Sequence, residues 1–294
     1  VCTIVSRTPY CRNKDGVNVG LGPTVDEIDH LAALFTKVFH CAPVHSGVPP
    51  PSYIAHEKNN IYLIPLKTTG GDSLREKAQH LFFFPYHLQQ IKSCLKESDW
   101  LHFRAPTGIG VLFLPWIFFF WKHGTWIKYA GSWKDRASPL SYKFQRWFLK
   151  RFPKRVKIAV NGVFNDLQGN FLDFRNPCFD KNTLHRAKGA ANKKDFNGKL
   201  DLLFVGRLEQ AKGLDDLMSL VEKMGNTNKI NSLTIIGESR TLKKYENMAA
   251  RLNTDVIFTG PLSRKSVFMH YARSHILVLL SKTEGFPKVI MEAG

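Results

Sequence analysis

Short apolar segments alternate with longer amphipathic segments along most of the chain. Residues 1–6 form the first apolar segment, and a loop with three glycines separates it from a segment of helical periodicity. Thr24 followed by Glu27 predicts a capping box, which opens a helix that we expect to run to residue 39. Further strands are predicted at residues 61–66, 100–103, 126–130 and 157–160, and further helices at 74–97, 110–122 and 139–151. Short buried strands separated by helices are typical of a parallel sheet covered on both faces.

The same alternation begins again in the last third of the chain. Residues 181–199 are polar and basic without apolar periodicity, so they are predicted to be an interdomain linker. A length of 294 residues also suggests about two domains. The sequence therefore predicts an α/β protein with an N-terminal domain of residues 1–180 and a C-terminal domain of residues 200–294, whose strand ends face one cleft. The C-terminal strands are predicted at 201–205, 232–236, 256–258 and 276–280, and the helices at 213–224, 241–252 and 264–273.

Positive charge is concentrated in one part of the predicted N-terminal domain. The chain carries 42 Lys and Arg residues against 24 Asp and Glu, a formal net charge of +18. Residues 122–157 hold 11 of these cations and one acidic residue, Asp135, which gives a net charge of +10. Basic residues mixed with tryptophan suit an anionic membrane surface, but they also suit nucleic acid or a solvated helix with core tryptophans. Five of the six tryptophans lie in or beside this window: Trp116, Trp121, Trp126, Trp133 and Trp147.

The remaining composition excludes several classes of protein. Hydrophobic residues make up 44% of the chain, which argues against disorder. The longest apolar run, residues 111–121, contains Pro115 and falls well short of the about 20 residues that span a bilayer. The five cysteines form no C-x-x-C pair, which argues against a disulfide scaffold or a zinc site and favours a reducing compartment.

A candidate anion site follows the first strand of the predicted C-terminal domain. Gly206 and Arg207 end the strand, and Lys212 and Gly213 stand just before the next helix. The N–H groups at a helix N-terminus favour an anion, and the two cations could reach the same diphosphate across this turn. A surface Arg and Lys beside a loop are the alternative interpretation.

Two glutamates near the end of the chain form a second candidate site. Glu284 ends a strand, Gly285 allows a tight turn, and Glu292 follows eight residues after Glu284. Carboxylates with this spacing can accept hydrogen bonds from a run of sugar hydroxyls. The alternative is one glutamate favoured by the helix dipole and one exposed glutamate in the middle of a helix.

In this order, these features resemble the donor half of glycosyltransferase family 4. The resemblance rests on Gly206-Arg207 with Lys212-Gly213, on the Phe258-Thr259-Gly260 turn, and on Glu284-Gly285-Phe286-Pro287 with Glu292-Ala293. It is strong over residues 200–294 and mainly topological over residues 1–180. The resemblance implies the GT-B fold of two Rossmann-like domains and a retaining, nucleotide-sugar-dependent activity. The stretch from Ser281 to Ile290 is similar to bacterial surface-polysaccharide members.

The resemblance also implies roles for individual residues. Arg207 and Lys212 would hold the donor diphosphate, and Glu284 would contact the transferred sugar. Glu292 would bind the ribose, with the backbone of Gly285 and Phe286 near the phosphates. The catalytic residues implied are therefore Arg207, Lys212 and Glu284. In the N-terminal domain, Gly20 and Gly22 stand where the family's glycine-rich first loop approaches the donor.

The chain departs from the family pattern in two places. Many members place a His after the strand that here spans residues 126–130, and no His stands there. His102 and Arg104 are the candidates to meet the sugar or acceptor, with ordinary strand-edge residues as the alternative. His45 and His123 are interpreted as surface histidines and Lys128 as structural. Both chain ends look trimmed, so we expect the last strands and the returning C-terminal helix of the family to be missing.

The sequence thus predicts a retaining glycosyltransferase that moves a sugar from a UDP- or GDP-linked donor to a lipid-linked or saccharide acceptor in cell-surface polysaccharide synthesis. No D-x-D pair is present, so no divalent metal or other cofactor is expected. The expected location is the cytoplasm, at the anionic inner leaflet of the membrane, without nucleic acid as a partner. The alternatives are a non-catalytic basic module that binds membranes or nucleic acid, and a sugar-nucleotide epimerase.

Overall fold

The chain folds into two compact units, each built on its own sheet. The computed structural model describes residues 1–294 except 72, 136–137, 152–154, 163, 165–166, 168, 175, 177, 179–180, 240, 283 and 285. The N-terminal unit comprises Val1–Pro49 and Tyr53–Arg175, and the C-terminal unit comprises Pro50–Ser52 and Asn176–Gly294. Both sheets are mainly parallel, which confirms the predicted α/β class.

The N-terminal unit is a ten-stranded sheet flanked by helices. Its strands are β1 (Cys2–Val5), β2 (Tyr10–Arg12), β3 (Asn18–Leu21), β4 (Val38–His45), β5 (Tyr53–Ile54), β6 (Ile61–Leu66), β7 (Trp100–Ala105), β8 (Gly124–Tyr129), β9 (Lys157–Asn161) and β10 (Phe171–Phe174). The strand order is β10-β9-β8-β7-β1-β4-β2-β3-β5, and β6 also pairs with β4. Among the described strands, β3 runs antiparallel to both of its neighbours, β2 and β5. The helices are α1 (Gly22–Ala32), α2 (Leu74–Phe82), α3 (Phe84–Leu95), α4 (Gly110–Phe120) and α5 (Leu140–Arg151).

Both faces of this sheet are covered, which explains why its central strands are mainly apolar. On one face, strand residues such as Phe103 pack with Ile91 of α3, Phe113 of α4 and Phe148 of α5 in the largest core cluster. On the other face, the first strand packs against α1 in a smaller cluster that contains Ile28. Each fully buried apolar side chain of this size contributes about 1.5–3 kcal/mol.

The first helix differs from the sequence prediction at both ends. α1 begins at Gly22, with Pro23 in its first turn, and ends at Ala32. Proline suits the first turn because its missing N–H would have no partner there. Glu27 is buried and forms ion pairs with other elements, so the predicted capping box of Thr24 and Glu27 is wrong.

Other differences follow from local chemistry that periodicity does not report. Residues 38 and 39, predicted as the end of the first helix, begin strand β4. The glycine-containing loop forms the β2–β3 hairpin. The predicted helix at 74–97 is two helices that meet at Phe83, because Pro85 lies in the first turn of the second helix. The last strand of the sheet, β10, was not predicted.

The C-terminal unit is a four-stranded parallel sheet with helices. Its strands are β11 (Leu200–Val205), β12 (Ile230–Ile236), β13 (Asp255–Gly260) and β14 (Ile276–Leu277), in the order β13-β12-β11-β14. Its helices are α6 (Lys181–Ala191), α7 (Leu214–Met224), α8 (Leu242–Ala249), α9 (Arg264–Arg273) and α10 (Lys288–Ala293). Its core joins Phe204 and Ile235 of the sheet to Leu217 of α7 and Tyr245 of α8.

The segment predicted as a linker, residues 181–199, contains helix α6, so that prediction is wrong for Lys181–Ala191. None of the residues in α6 is buried, which explains why its sequence lacks apolar periodicity. Just after the helix, Lys194 Nζ donates hydrogen bonds to the carbonyl oxygens of Tyr271 at 2.8 Å and Ser274 at 2.6 Å. These contacts fasten the segment to α9 within the C-terminal unit.

Candidate active site

The ends of two neighbouring strands bring a lysine and a glutamate together in the C-terminal unit. β11 and β14 are adjacent and parallel. Lys212 lies in a short 3-10 turn after β11, and Glu284 follows β14. Lys212 Nζ donates a hydrogen bond of 2.6 Å to Oε1 of Glu284, and the two side chains are 21% and 22% exposed. Two predicted site residues therefore meet at the carboxyl edge of the sheet, where open α/β sheets bind their ligands.

A glycine allows the two loops around this pair to approach closely. Gly213 has φ of +73°, in the left-handed region, and a Cβ there would overlap the Leu280 carbonyl oxygen. Ala211 also accepts a hydrogen bond of 3.1 Å from the backbone N–H of Lys282. The loop after β11 is thus pressed against the segment after β14, which fixes the backbone beneath Lys212.

Arg207 lies on the same loop but does not share the partner of Lys212. Its Nη1 lies 2.9 Å from Oε1 of Glu209, and the two side chains are 66% and 45% exposed. An exposed ion pair of this kind contributes about 0–1 kcal/mol, so a bound anion would replace it at little cost.

Glu292 lies in a more enclosed setting on α10. Tyr271 Oη donates to its Oε2 at 3.3 Å, and Arg264 Nη2 lies 3.5 Å from its Oε1. Burial raises the pKa of Glu292, and the neighbouring Arg264 opposes that rise. Burial and the Glu292 carboxylate both raise the pKa of Tyr271, so the phenol stays protonated as a donor. The structure therefore places Glu292 in a polar cluster that contains neither Lys212 nor Arg207.

Two further donor-site predictions concern the turn that follows Glu284. Gly285 lies outside the described residues, so its prediction stays open. Phe286 is half-buried, and its carbonyl oxygen accepts a hydrogen bond of 2.9 Å from the backbone N–H of Lys288.

The two glycines predicted for the N-terminal unit differ in their surroundings. Gly20 is buried in β3, where a Cβ would lie 2.6 Å from the Tyr10 ring, so packing alone requires a glycine. Gly22 is the first residue of α1, and the residue before it, Leu21, makes no side-chain cap. The first N–H groups of α1 therefore have no side-chain acceptor from the cap position, a setting that favours an anion.

His102 and Arg104 both make buried contacts that do not fit the role predicted from the sequence. His102 is buried against Trp126, at 4.3 Å between ring centroids, and burial lowers its pKa to about 3. Arg104 donates two hydrogen bonds to Glu27, at 2.8 and 3.2 Å, and Lys128 donates a third at 2.6 Å. This buried triad joins α1 to β7 and β8, in accord with a structural role for Lys128.

A buried series of hydrogen-bonded side chains was not predicted from the sequence. Ser6 bonds His40 at 2.8 Å, His40 bonds Tyr10 at 3.0 Å, and Tyr10 bonds His56 at 2.8 Å. His56 ends the chain at Asp29, 2.7 Å away. It ties the β2–β3 hairpin to β4 and α1. No motif reports it, because its members come from five separate segments.

The basic window separates into core and surface residues. Trp121 and Trp133 are 7% and 5% exposed and belong to the core. Phe119 and Phe120 at the end of α4 are 60% and 69% exposed, and Trp147 of α5 is 55% exposed. Aromatic side chains therefore do reach the surface beside the cations, although two of the five tryptophans do not.

Within the described ranges, no three His, Cys, Asp or Glu side chains cluster in a way that would hold a metal ion. In the same part of the chain, no helix has both the length and the apolar character needed to cross a bilayer.

Comparison with solved structures assigns the architecture. A trehalose-phosphate synthase from Burkholderia xenovorans, in complex with glucose-6-phosphate, superposes with a TM-score of 0.69 at 12% identity, covering 99% of this chain and 82% of that one. HepE from Anabaena, in complex with UDP, gives a TM-score of 0.61 at 14% identity over 99% of this chain and 77% of that one. Likenesses at such low identity establish the fold alone, which is the GT-B fold.

Sequence comparison adds a match to a family model over the C-terminal part of the chain. Residues 186–294 match the family described as glycosyl transferases group 1. A protein of the cps region of Klebsiella pneumoniae, described as an uncharacterized 41.2 kDa protein, is 26% identical over 141 residues. That match covers 47% of this chain and 34% of the relative, so the chain matches about a third of the relative's length. The match to the group 1 glycosyl transferases thus covers the C-terminal part of this GT-B chain.

Proposed function

We propose that the protein is a glycosyltransferase that moves a sugar from a UDP- or GDP-linked donor to a lipid-linked or saccharide acceptor. The observation that carries this proposal is the contact of Lys212 with Glu284 at the carboxyl edge of a group 1 glycosyl transferase domain. A cation and a carboxylate side by side suit a ligand with a diphosphate next to a sugar.

The reaction breaks the bond between the sugar C1 and the donor phosphate oxygen, and it forms a bond between C1 and an acceptor oxygen. Negative charge develops on the departing diphosphate, and a pre-placed cation stabilises that charge most where water is limited. Lys212 has this position, since its backbone is fixed and its side chain is mostly buried. Arg207 would turn from Glu209 to the same diphosphate. No step requires a metal ion.

The glutamates have separate parts in this proposal. A diphosphate that attracts Lys212 would release Glu284 to accept hydrogen bonds from hydroxyls of the transferred sugar. Glu292, held by Tyr271 and Arg264, would accept hydrogen bonds from the ribose. The backbone of Gly285 and Phe286 would lie near the phosphates. Gly22, at the uncapped N-terminus of α1, would also approach them. Gly20 would support Gly22 through its close packing against the Tyr10 ring.

The finer proposals are retention of configuration at C1 and a role in surface-polysaccharide synthesis. Retention rests on the resemblance of the paired glutamates to the family-4 motif. The polysaccharide role is supported by the relative from a cps region and by WaaG, a solved structure described as involved in lipopolysaccharide biosynthesis, with a TM-score of 0.54. UDP is favoured as the nucleotide of the donor because HepE was solved with UDP and the trehalose-phosphate synthase is described as UDP-forming.

We also propose that the protein works in the cytoplasm and attaches reversibly to the anionic inner leaflet of the membrane. Phe119, Phe120 and Trp147 present exposed aromatic rings on α4 and α5, in or next to the window of net charge +10. Aromatic rings at headgroup depth and cations near lipid phosphates would place a lipid-linked acceptor within reach.

Nucleotide binding provides the first test. We expect UDP or GDP to bind in isothermal titration calorimetry, and an Arg207→Ala, Lys212→Ala double variant to bind roughly ten- to a hundredfold more weakly, since a charge-assisted contact is worth about 1.5–3 kcal/mol. Lys223→Ala, which removes an exposed cation from the end of α7, is the matched control and should bind like the wild type. Equal affinity in the double variant and the control would refute the donor site.

Product analysis separates the proposed activity from its alternatives. A glycosyltransferase consumes the nucleotide sugar, releases the nucleoside diphosphate and glycosylates an acceptor, whereas an epimerase returns a nucleotide sugar of changed configuration. A basic binding module would leave the donor intact. The adjacency of Lys212 and Glu284 favours the transferase, because a binding module needs neither residue at that edge.

A further inference from the structure

Basic side chains gather at one edge of the N-terminal sheet. Arg7 follows β1, Lys67 follows β6, His80 lies on α2 and His87 on α3. β1 and β6 flank β4 and run parallel to it, so their carboxyl ends lie at the same edge. Carboxyl ends of parallel strands are the usual ligand side of an α/β sheet.

Loops from two different strands hold His80 in place. Thr69, in the loop after β6, bonds Nδ1 of His80 at 2.9 Å. A Cβ on Gly70 would lie 2.7 Å from Nε2, and a Cβ on Gly108, in the loop after β7, would overlap the ring. Only glycines leave room for the imidazole at these two positions. Nε2 itself makes no hydrogen bond to a described residue.

The loop after β7 is itself anchored in the core. Gln145 of α5 is fully buried, and its side chain accepts a hydrogen bond of 3.2 Å from the N–H of Thr107 and donates one of 2.9 Å to the carbonyl oxygen of the same residue. Gly108 therefore presses on His80 from a fixed backbone. The imidazole is held in one orientation before any ligand arrives, which lowers the entropic cost of binding.

Arg7 places positive charge near His80, and Lys67 places it near His87. Arg7 and Lys67 are exposed, and neither forms an ion pair with a described carboxylate. Lys67 Nζ lies 4.8 Å from the centroid of the Phe83 ring and is thereby held at this edge. Burial and the charge of Arg7 lower the pKa of His80, and burial also lowers the pKa of His87. His87 is 2% exposed, and neither of its ring nitrogens forms a hydrogen bond with a described residue.

Glu76, a carboxylate close to this edge, is occupied elsewhere. It accepts hydrogen bonds from the N–H of Ser73 at 2.9 Å and from the Ser73 hydroxyl at 2.8 Å, in the capping box of α2. Among the described residues, neither Arg7 nor Lys67 therefore forms an ion pair.

We propose that Arg7, Lys67 and His80 form a phosphate-binding site that holds a phosphate group of the acceptor. A guanidinium binds phosphate oxygens in a bidentate manner, an ammonium binds them as a point charge, and a neutral imidazole donates one N–H. If the Thr69 hydroxyl donates to Nδ1, the single imidazole proton sits on Nε2, the nitrogen that is left for the ligand. The assignment of this phosphate to the acceptor rests on the proposed function, because a donor phosphate would bind at Lys212.

The test measures phosphate binding in two arms, which separate a soluble source from a lipid source. Glucose 1-phosphate is titrated by calorimetry, and vesicles of neutral phosphatidylcholine with and without a polyprenyl phosphate are co-sedimented. Both arms use the Lys212→Ala protein, so that the donor site contributes little. We expect one arm to bind, and Arg7→Gln to weaken that binding roughly tenfold or more. Arg12→Gln, which removes an exposed cation of β2, is the matched control and should have no effect.

Gly108→Ala supplies a variant with unchanged charge. Its Cβ displaces the His80 ring, so we expect weaker phosphate binding, whereas a purely electrostatic surface would bind as before. Tryptophan fluorescence on unfolding checks that each variant is folded. No binding in either arm, or equal affinities for Arg7→Gln and Arg12→Gln, would overturn the site.

UDP binding to the protein with Lys212 intact separates the two proposals. If UDP binds and the phosphate affinity of Arg7→Gln equals that of Arg12→Gln, only the phosphate site is refuted. If UDP and GDP do not bind, the proposed function fails, and phosphate binding at Arg7 would stand without its link to an acceptor.

Discussion

The buried triad of Glu27, Arg104 and Lys128 gives the sharpest prediction for stability. One carboxylate faces two cations, and the side chains of Glu27, Arg104 and Lys128 are 9%, 12% and 1% exposed. We expect Glu27→Gln to destabilise the N-terminal unit strongly, because it removes the buried carboxylate that both cations bind. Lys128→Met should cost much less, because Arg104 and Glu27 then form a balanced pair and the methionine keeps the apolar contact with the Phe174 ring.

Two independent arguments give a similar loss of folding free energy for Glu27→Gln. Removing one partner of a buried ion pair costs about 3–5 kcal/mol. Burial alone would raise the pKa of Glu27, but Arg104 and Lys128 outweigh burial and lower it from 4.5 to about 2. That shift corresponds to about 3 kcal/mol of folding free energy. Because the pKa is lowered by folding, this contribution is complete above pH 4.5 and is lost as the pH falls towards about 2.

The assay uses the distribution of tryptophan. All six tryptophans lie between residues 100 and 147, so tryptophan fluorescence in guanidinium chloride reports on the N-terminal unit alone. The free energy of unfolding is measured at pH 7 and at pH 3 to 4 for the wild type and both variants. Equal losses for Glu27→Gln and Lys128→Met would refute the counter-charge explanation. So would a pH dependence in this range that survives unchanged in Glu27→Gln.

Further outcomes are expected for backbone glycines, the two glutamates, the metal requirement and membrane attachment. Gly213→Ala should lower the melting temperature of the C-terminal unit in circular dichroism, because φ of +73° costs an L-residue about 1–2 kcal/mol before the overlap with the backbone is counted. Gly189→Ala in the exposed helix α6 should instead be neutral or stabilise by about 0.5–1 kcal/mol. Glu292→Gln should weaken UDP or GDP binding in calorimetry while Glu284→Gln mainly lowers turnover, and equal losses of affinity would contradict that division. Glycosyl transfer should persist in EDTA, and activity that requires added magnesium or manganese would contradict a metal-free mechanism. Vesicles with anionic lipid should co-sediment the protein at low salt, less at high salt and less with Trp147→Ala, whereas equal binding to neutral vesicles would leave the basic window a solvated surface.

Much of the fold could be predicted because its signals are local. The alternation of apolar segments with helical segments placed most of the parallel strands, since the buried strands of a parallel sheet are mainly apolar. The predictions failed where a segment has no buried face, as in α6, or where strand and helix patterns overlap. Residues 38 and 39 illustrate the second case, because a short apolar stretch after a helix suits either its last turn or a new strand.

The candidate site was likewise predicted only where local signals were sufficient. Lys212 was predicted just before a helix and Glu284 at the end of a strand, and the adjacency of β11 and β14 brings the two side chains within 2.6 Å. Strand ends meet at one edge of a parallel sheet, so position along the chain was sufficient there. For Glu292 it was not sufficient, because Tyr271 and Arg264 belong to α9 and only the packing of α10 on that helix makes them its partners.

By itself, the sequence determined the α/β class, the order of most elements, the excess of positive charge and the resemblance to family 4. Each of these depends on residue type and on spacing over a few turns. The tertiary structure alone decided that Glu27 neutralises Lys128, 101 positions away, and that Arg7, Lys67 and His80 share one edge of the sheet. Burial and charge pairing act through space, and no local pattern records which distant side chain will supply the partner.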